Sequence, residues 1–412
     1  MRVLMIDGVG MFGGASRSLF EAMRAFPEQP ERYFFVQRGS ANAYYAPYAK
    51  GMIAVRGMTR FDNSRASHYR GTRYLVLGRE LAYVPFTIYG LFLAKKRWKS
   101  VDLIHVNEIT EIIPGLLAKF LFKAPLIVHV RSMMWRNEKS FRVKWLRRIL
   151  KRHVDAVVAI DENVKESIGT ELPVTVIHNS FDSENMPDVG TNDAMRDLQI
   201  PDGAFVVGFV GNLHLTKGVF ELLQAAKIVR DKGYDVHYLV VGSSQRSDSG
   251  LLWNILNFLG LAQEQRAAFM KMMQDLDMQD RFHFAGHTSN VAPYIKAMDV
   301  LAFPSHFDAC GRPIFEAAFY GCPSIAAVSS PKDDTLQHRI TGLAIAEPDP
   351  DLLADAIIEL ASDPARAREM GKAAQLLAQK NFLPSIAAEQ LSRLYADVAK
   401  KPIYGYDTVV RT

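Results

Sequence analysis

Between Phe303 and Ala327 the chain reads FPSHFDACGRPIFEAAFYGCPSIAA, and no other stretch restricts the fold as tightly. An apolar run ending at Phe303 meets Pro304-Ser305 and a short polar loop that closes at Gly311. Pro313 follows at a first-turn position, where the N–H that proline lacks has no helical partner to lose. Gly321-Cys322-Pro323 ends the helix, and Ser324 to Ala327 begins a second apolar run. Strand, loop, helix, strand is a crossover unit of an α/β sheet. Asp308 precedes the helix, and Glu316 stands eight residues on, read as part of its first turn. Backbone N–H groups at a helix N-terminus favour an anionic ligand. Carboxylates on either side of such a site suit sugar hydroxyls, which donate hydrogen bonds to them.

A chain of 412 residues is too long for one typical core and predicts two domains. With 49% apolar and 23% charged residues it falls in the soluble globular class and outside the disordered one. Two cysteines, Cys310 and Cys322, provide no disulfide framework and fit a reducing compartment. The first residues read directly as a strand, so no signal peptide is expected. The uncharged apolar run 81–94 has 14 residues and contains Pro85. It falls short of the roughly 20 needed to span a bilayer. Residues 1–190 carry 28 Lys+Arg against 18 Asp+Glu, and the remainder 21 against 26, so two halves of opposite charge should meet different partners.

Residues 3–7 read as a buried strand, 8–14 as a glycine-rich turn and 15–26 as a helix. Glycines at such a turn allow close backbone approach to a ligand, although this is no GxGxxG fingerprint. Residues 33–38 form a second strand. From 39 to 73 the periodicity fades while Arg56, Arg60, Arg65, Arg70 and Arg73 recur, predicting an irregular excursion, acceptor-facing or solvated. A long apolar helix (74–99), a strand (101–107) and a helix (110–122) follow. Next comes the strand 125–131, PLIVHVR, in which His129 and Arg131 share a face. Residues 139–152 hold seven basic residues in fourteen. At about 100° per residue Lys144, Arg147, Arg148 and Lys151 share one side, and Phe141, Trp145 and Ile149 another. Such a helix either lies on an anionic membrane surface or turns a basic face to solvent.

Strand, helix and strand over 155–178 complete the first half, and the polar stretch to Gly203 reads as a linker. The second half opens with a strand (205–211), the turn GNLHLTKG and a helix (219–232). Lys217 in that turn supplies a compact positive charge for a phosphate. A strand at 236–242 precedes residues 243–263, an insertion with apolar content of its own. Strand, helix and strand over 281–286, 291–298 and 299–303 lead into the acidic stretch. His287 and Thr288 follow a strand's C-terminus, where α/β sheets place ligands. A strand at 341–346 and helices near 349–362, 364–379 and 385–399 end the chain, the last crossing back to the first domain.

These motifs resemble those of the retaining glycosyltransferases of family 4, the group 1 glycosyl transferases of the two-domain GT-B fold. Their acidic signature separates two glutamates by seven residues; Asp308 and Glu316 keep the spacing with Asp in first place. Gly13-Gly14 before a helix resembles the family's N-terminal loop facing donor phosphates and acceptor. Gly211-Asn212 and Lys217-Gly218 resemble its Gly-Arg and Lys-Gly pairs, with Asn212 where arginine is usual and Arg312 near enough to compensate. His178-Asn-Ser-Phe-Asp resembles the segment that leaves the first domain. A histidine usually ends the family's strand at 125–131, and His129 and Arg131 both qualify.

The resemblance implies an α/β fold of two doubly wound Rossmann-like domains facing a central cleft. Residues 1–182 would take the acceptor side, 183–203 the linker, 204–384 the nucleotide sugar and 385–412 a crossover helix and tail. It implies hexosyl transfer from a nucleotide diphosphate sugar to a glycan or lipid-linked acceptor, with retention of configuration, in cell-surface polysaccharide or glycolipid synthesis. Lys217, Asp308, Glu316, His129 and Arg131 take the catalytic positions. Gly13, Gly14, Gly211, Asn212, Lys217, His287, Thr288, Gly311, Arg312, Pro313, Ile314 and Glu316 take the donor. No cofactor, bound metal or nucleic acid is implied. The expected place is the cytoplasm, peripheral on the inner face of a membrane through Lys144, Arg147, Arg148 and Lys151. A nucleotide-sugar epimerase on the same fold and a non-catalytic nucleotide-sugar-binding protein are the rival readings. Asn212 and Asp308 favour the second.

Overall fold

The computed structural model describes residues 1–26, 30–65, 69, 71, 74–169, 172–183, 198–242, 265–288 and 290–400. The expected insertion at 243–263, residues 184–197 of the expected linker, Arg70, Arg73 and the tail beyond 400 lie outside the described residues. The chain divides into two compact units, one of residues 1–181 with the segment from Phe382, the other of residues 182–381.

Unit 1 runs β1 (Arg2–Asp7), α1 (Gly14–Arg24), β2 (Glu31–Gln37), α2 (Ala41–Tyr45), β3 (Gly51–Val55), α3 (Tyr74–Trp98), β4 (Leu103–Val106) and α4 (Ile112–Phe122). It continues with β5 (Leu126–Val130), α5 (Phe141–His153), β6 (Ala156–Ala159), α6 (Glu162–Ile168) and β7 (Val174–Val176). All strand pairs are parallel, in the order β3-β2-β1-β4-β5-β6-β7. The winding reverses between β1 and β4, so the crevice for a ligand opens at their carboxyl ends. Alternate residues of β1 serve opposite faces of the sheet. Leu4 and Ile6 pack with Val106 and Val128, whereas Val3 and Met5 pack with Leu19, Met23 and Leu391. Helices cover both faces, which is why these strands read as unbroken apolar runs. Each fully buried aliphatic side chain of this kind contributes about 1.5–3 kcal/mol.

Three expectations for unit 1 need correction. The excursion at 39–73 contains α2 and the edge strand β3, which pairs with β2 along all five residues. Only five residues long and flanked by polar loops, β3 leaves little periodicity to read. Second, α3 has 25 residues, extending past the uncharged run on both sides, and by length and composition it could cross a membrane. Third, α5 buries Val143, Leu146 and Leu150, not Phe141, which is 76% exposed. The helix carries two apolar stripes, and the aliphatic one faces the sheet. Trp145 is half-buried against Phe61, with ring centroids 4.9 Å apart.

Unit 2 runs β8 (Phe205–Val210), α7 (Val219–Asp231), β9 (Val236–Val241), α8 (Arg266–Asp275), β10 (Phe282–Gly286), α9 (Ala292–Ile295) and β11 (Val300–Phe303). It ends with α10 (Arg312–Phe319), β12 (Ser324–Ala327), β13 (Gly342–Ile345), α11 (Pro350–Ser362) and α12 (Pro364–Asn381). Its parallel order is β10-β9-β8-β11-β12-β13, with the reversal between β8 and β11. The sequence pattern did not reveal α8. The last helix, α13 (Pro384–Ala399), belongs to unit 1, where Ala388, Leu391 and Tyr395 join the core beneath β1.

Candidate active site

In unit 2 the loops that follow β8 and β11 are tied together. Gly218 has φ 76°, and a Cβ there would lie 1.8 Å from the Pro304 carbonyl oxygen. Only glycine permits both that conformation and that approach. His306 N donates to the Thr216 carbonyl (3.1 Å), and His306 Nε2 lies 2.8 Å from Glu221 Oε1. His214 accepts from Thr216 N and shapes the turn that presents Lys217.

Lys217 is partly buried. Its ammonium lies 5.9 Å from the Phe303 ring centroid and 5.2 Å from that of Phe307. No carboxylate of the described residues comes within ion-pair distance of it, and burial lowers its pKa. A half-desolvated ammonium between two ring faces gains from cation–π attraction, but its charge is left for an anion to neutralise.

Beside it, Gly311 caps α10. A Cβ at Gly311 would lie 2.3 Å from Phe303, so glycine brings the helix N-terminus down onto the strand end. Pro313 and the buried Ile314 follow in the first turn. Glu316 stands one turn further in than expected, four residues after Arg312. Its Oε1 is 2.5 Å from Arg312 Nε; the Glu316 side chain is buried and that of Arg312 is 12% exposed. The arginine expected to compensate for Asn212 is therefore paired with Glu316. Asp308 adopts φ 53°, and its carboxylate accepts from Ser329 N at 2.7 Å and Ser329 Oγ at 2.9 Å. Asn212 is exposed beyond Gly211.

The structure thus gathers Gly211, Asn212, Lys217, Asp308, Gly311, Arg312 and Glu316 at the carboxyl ends of the neighbouring strands β8 and β11. His287 and Thr288 follow the edge strand β10, two strands and roughly 10 Å away at the usual strand spacing. His287 is exposed, and Thr288 Oγ1 donates to the Asn290 carbonyl (2.9 Å) and accepts from Asn290 N.

In unit 1 the loop after β1 has Gly13 as the cap of α1, with open space around both Gly13 and Gly14. His129 and Arg131 are in contact, Arg131 Nη2 lying 3.3 Å from His129 Nδ1. His129 sits inside β5, fully enclosed, and burial holds its pKa well below the ordinary range, so it is neutral. Arg131 stands just past the strand end. Its Nε donates to Asn107 Oδ1 (2.9 Å) and its Nη1 to Asn179 Oδ1. Burial lowers Arg131 to about 10.

Sequence reading missed the acidic surroundings of this pair. Glu108 accepts from Ile109 N, Ser132 Oγ and Arg131 N, and burial pushes it up to about 7. Asp7 accepts from Ser16 Oγ (2.8 Å) and from Tyr45. Burial also raises Glu111, with further repulsion from Asp7 and Glu108. The signal was present: Asp7 ends β1 and Glu108 follows β4, the two strands that flank the reversal. Among the described residues no group of three or more His, Cys, Asp or Glu could hold a metal ion.

Two doubly wound units with loop-borne polar groups at both strand reversals are the GT-B architecture. Residues 12–185 match the family described as Glycosyltransferase Family 4, and residues 191–377 match Glycosyl transferases group 1. The chain belongs to glycosyltransferase family 4. Among curated relatives, it is 24% identical over 300 residues to the capsular polysaccharide biosynthesis glycosyltransferase CapM of Staphylococcus aureus, covering 70% of this chain and 74% of CapM. It is 29% identical over 383 residues to the D-inositol 3-phosphate glycosyltransferase of Corynebacterium urealyticum, covering 87% and 86%. In fold it is similar to Anabaena Alr3699/HepE, solved with UDP and glucose, at TM-score 0.74, 19% identity and 96% and 99% coverage. It is similar also to sucrose-phosphate synthase of Thermosynechococcus elongatus, at TM-score 0.69, 20% identity and 96% and 99% coverage.

Proposed function

We propose that this transferase moves a hexose from a nucleoside diphosphate sugar to a glycan or lipid-linked acceptor with retention of configuration. Its place would be cell-surface polysaccharide or glycolipid synthesis at the cytoplasmic face of a membrane. The observation that carries this reading is Lys217, a partly buried ammonium without a carboxylate partner among the described residues, at the strand reversal of unit 2. The relatives fit it, being a capsular polysaccharide biosynthesis glycosyltransferase and a D-inositol 3-phosphate glycosyltransferase. So does the neighbour solved with UDP and glucose.

As the glycosidic bond to the diphosphate breaks, the sugar ring gains positive charge and the leaving diphosphate negative charge. Lys217 and the N–H groups at the start of α10 are fixed before the reaction, so they stabilise that charge without reorganising. Glu316, steadied by Arg312, accepts from the ribose hydroxyls of the donor. Asp308, aimed by Ser329, accepts from hydroxyls of the transferred sugar. His287 and Thr288 lie further out for the nucleotide base. Of the two unit 1 candidates, Arg131 past the end of β5 orients the sugar, with the enclosed, neutral His129 behind it, and the departing diphosphate takes the acceptor's proton. No residue here is assigned as a dedicated base, and no metal is invoked.

Initial rates of nucleotide diphosphate release with and without candidate acceptors test the proposal, together with the anomeric configuration of the product by NMR. Acceptor-dependent release and a product of the donor's configuration are expected. Release of nucleotide without a glycosylated product would point to an epimerase, and binding without release to a nucleotide-sugar-binding protein. An inverted product would contradict retention.

A further inference from the structure

α3 is turned the opposite way to an ordinary surface helix. Its buried line consists of Glu80, Thr87, Gly90, Leu91, Ala94 and Trp98. Its outer face exposes Leu81, Phe86, Ile88, Tyr89, Phe92 and Leu93, from 38% at Ile88 to 67% at Tyr89. A helix that packs only on its own sheet turns its apolar stripe inward; here the larger apolar surface points outward. Contiguous apolar exposure of this kind marks an interaction surface.

The inward polar groups are all employed. Thr87 Oγ1 accepts from Thr59 N at 2.9 Å, and Glu80 accepts from Arg60 N at 2.8 Å while pairing with Arg79 at 2.6 Å. At Gly90 a Cβ would meet Val55 at 2.5 Å and Phe35 at 2.6 Å, so glycine lets the helix lie flat against β2 and β3. These contacts hold α3 along unit 1 and oppose its standing free as a membrane span. The apolar stretch runs into Lys95, Lys96, Arg97 and Lys99. Among the described residues none of these four has a carboxylate within ion-pair distance. At about 100° per residue Lys96 falls in line with Leu81, Tyr89 and Phe92. The only carboxylate in α3 is the buried Glu80, so the exposed face has none.

We infer that the outer face of α3 docks on an anionic bilayer, with its phenyl rings at the acyl boundary and Lys96, Arg97 and Lys99 at the lipid phosphates. The charge pattern selects this occupant. In a two-fold pairing of copies the same patch faces itself, and four cations would meet no carboxylate. An acidic lipid surface supplies the countercharge. α5 offers exposed Lys144, Arg148 and Lys151 but only Phe141 as an exposed large apolar side chain, and its Arg147 is paired with Glu138 at 2.8 Å. The apolar contact with lipid therefore belongs to α3, and α5 adds charge alone. The inference does not rest on the transferase reading, because its test measures lipid binding.

Co-sedimentation of the full chain with phosphatidylcholine vesicles, with and without phosphatidylglycerol, tests it. Binding to the acidic vesicles only is expected. The double variant Phe86→Ser/Phe92→Ser should bind at least about ten-fold more weakly, since two rings no longer leave water. Lys96→Gln/Arg97→Gln/Lys99→Gln should lose binding at lower salt than wild type does. Substituting Lys144, Arg148 and Lys151 by Gln should weaken binding less than the Phe86/Phe92 change. All these positions are exposed, so circular dichroism and Tm should match wild type, and an unfolded variant would contradict an unpartnered face. Equal partitioning by the Phe86/Phe92 variant would overturn the inference. So would a wild type that ignores acidic vesicles, retention through alkaline carbonate as for a spanning helix, or self-association in sedimentation velocity that the same variant abolishes.

Discussion

The two units wind their sheets alike, with a central strand, two strands to one side and the rest to the other. At the reversal between β8 and β11, unit 2 presents Lys217 without a carboxylate partner among the described residues. Its own carboxylates are held, Glu316 by Arg312 and Asp308 by Ser329. At the reversal between β1 and β4, unit 1 collects Asp7 and Glu108 near Arg131, and Glu111 beside them with Arg60 acting on it. Burial drives Glu108 and Glu111 towards the neutral form. One backbone plan thus carries an anion-seeking end in unit 2 and an end suited to neutral hydroxyls in unit 1. The side chains at the reversal, not the winding, decide what each end takes.

Removing the cation should break the contrast most sharply. Lys217→Ala should lower turnover about 10²-fold or more, the scale for losing one preorganised charge-stabilising group. Initial rates at saturating donor check this, and an unchanged rate in a folded variant would refute the role. Burial lowers the Lys217 pKa, so diphosphate affinity of the wild type should decline on the alkaline side before the roughly 10.4 of an ordinary lysine is reached.

Next in size is Glu316→Gln, which removes the charge facing Arg312 in a largely buried ion pair. Breaking a buried pair by removing one partner costs about 3–5 kcal/mol. A lower Tm, weaker nucleotide binding and slower transfer should appear together. A variant with wild-type Tm would show that the pair is not structurally important.

Asp308→Asn should act more gently and on a different step, because Asn keeps an oxygen to accept from Ser329. Transfer should slow while nucleotide affinity holds. Loss of affinity with an unchanged rate at saturation would assign Asp308 to the nucleotide instead of the sugar.

The smallest effect lies in unit 1. A carboxyl raised in the folded state holds its proton more tightly than in the unfolded chain. Glu108 therefore adds stability that is complete below its unfolded value of 4.5 and is lost as pH climbs to about 7. Chemical denaturation of wild type and Glu108→Gln across that window should show the wild type losing stability relative to the variant as pH rises. Parallel curves would place the titrating group elsewhere.

What the sequence disclosed and what it concealed follows from the range of each interaction. Lys217-Gly218 was legible because a lysine and a glycine at a strand-to-helix turn have a local meaning, and Gly311 and Pro313 announced a helix start in the same way. Arg312 and Glu316 lie four apart, the spacing of a helical ion pair, but the arginine missing at Asn212 made Arg312 look like its replacement. Asp308 meets Ser329 from 21 residues away, across β12, which no local pattern foretells. The cluster of Asp7, Glu108 and Arg131 is assembled by strand order, so it emerged only with the topology. In α5 two apolar stripes competed, and periodicity alone could not say which one the sheet would take.

The central claim is that Lys217 receives the diphosphate of the donor. Calorimetric titration of UDP and GDP beside uridine and guanosine, into wild type and Lys217→Ala, isolates the phosphate contribution for whichever base is bound. Wild type should bind the diphosphate much more tightly than its nucleoside, and the variant should lose most of that difference while nucleoside binding stays constant. A variant that binds the diphosphate as tightly as wild type would contradict the claim.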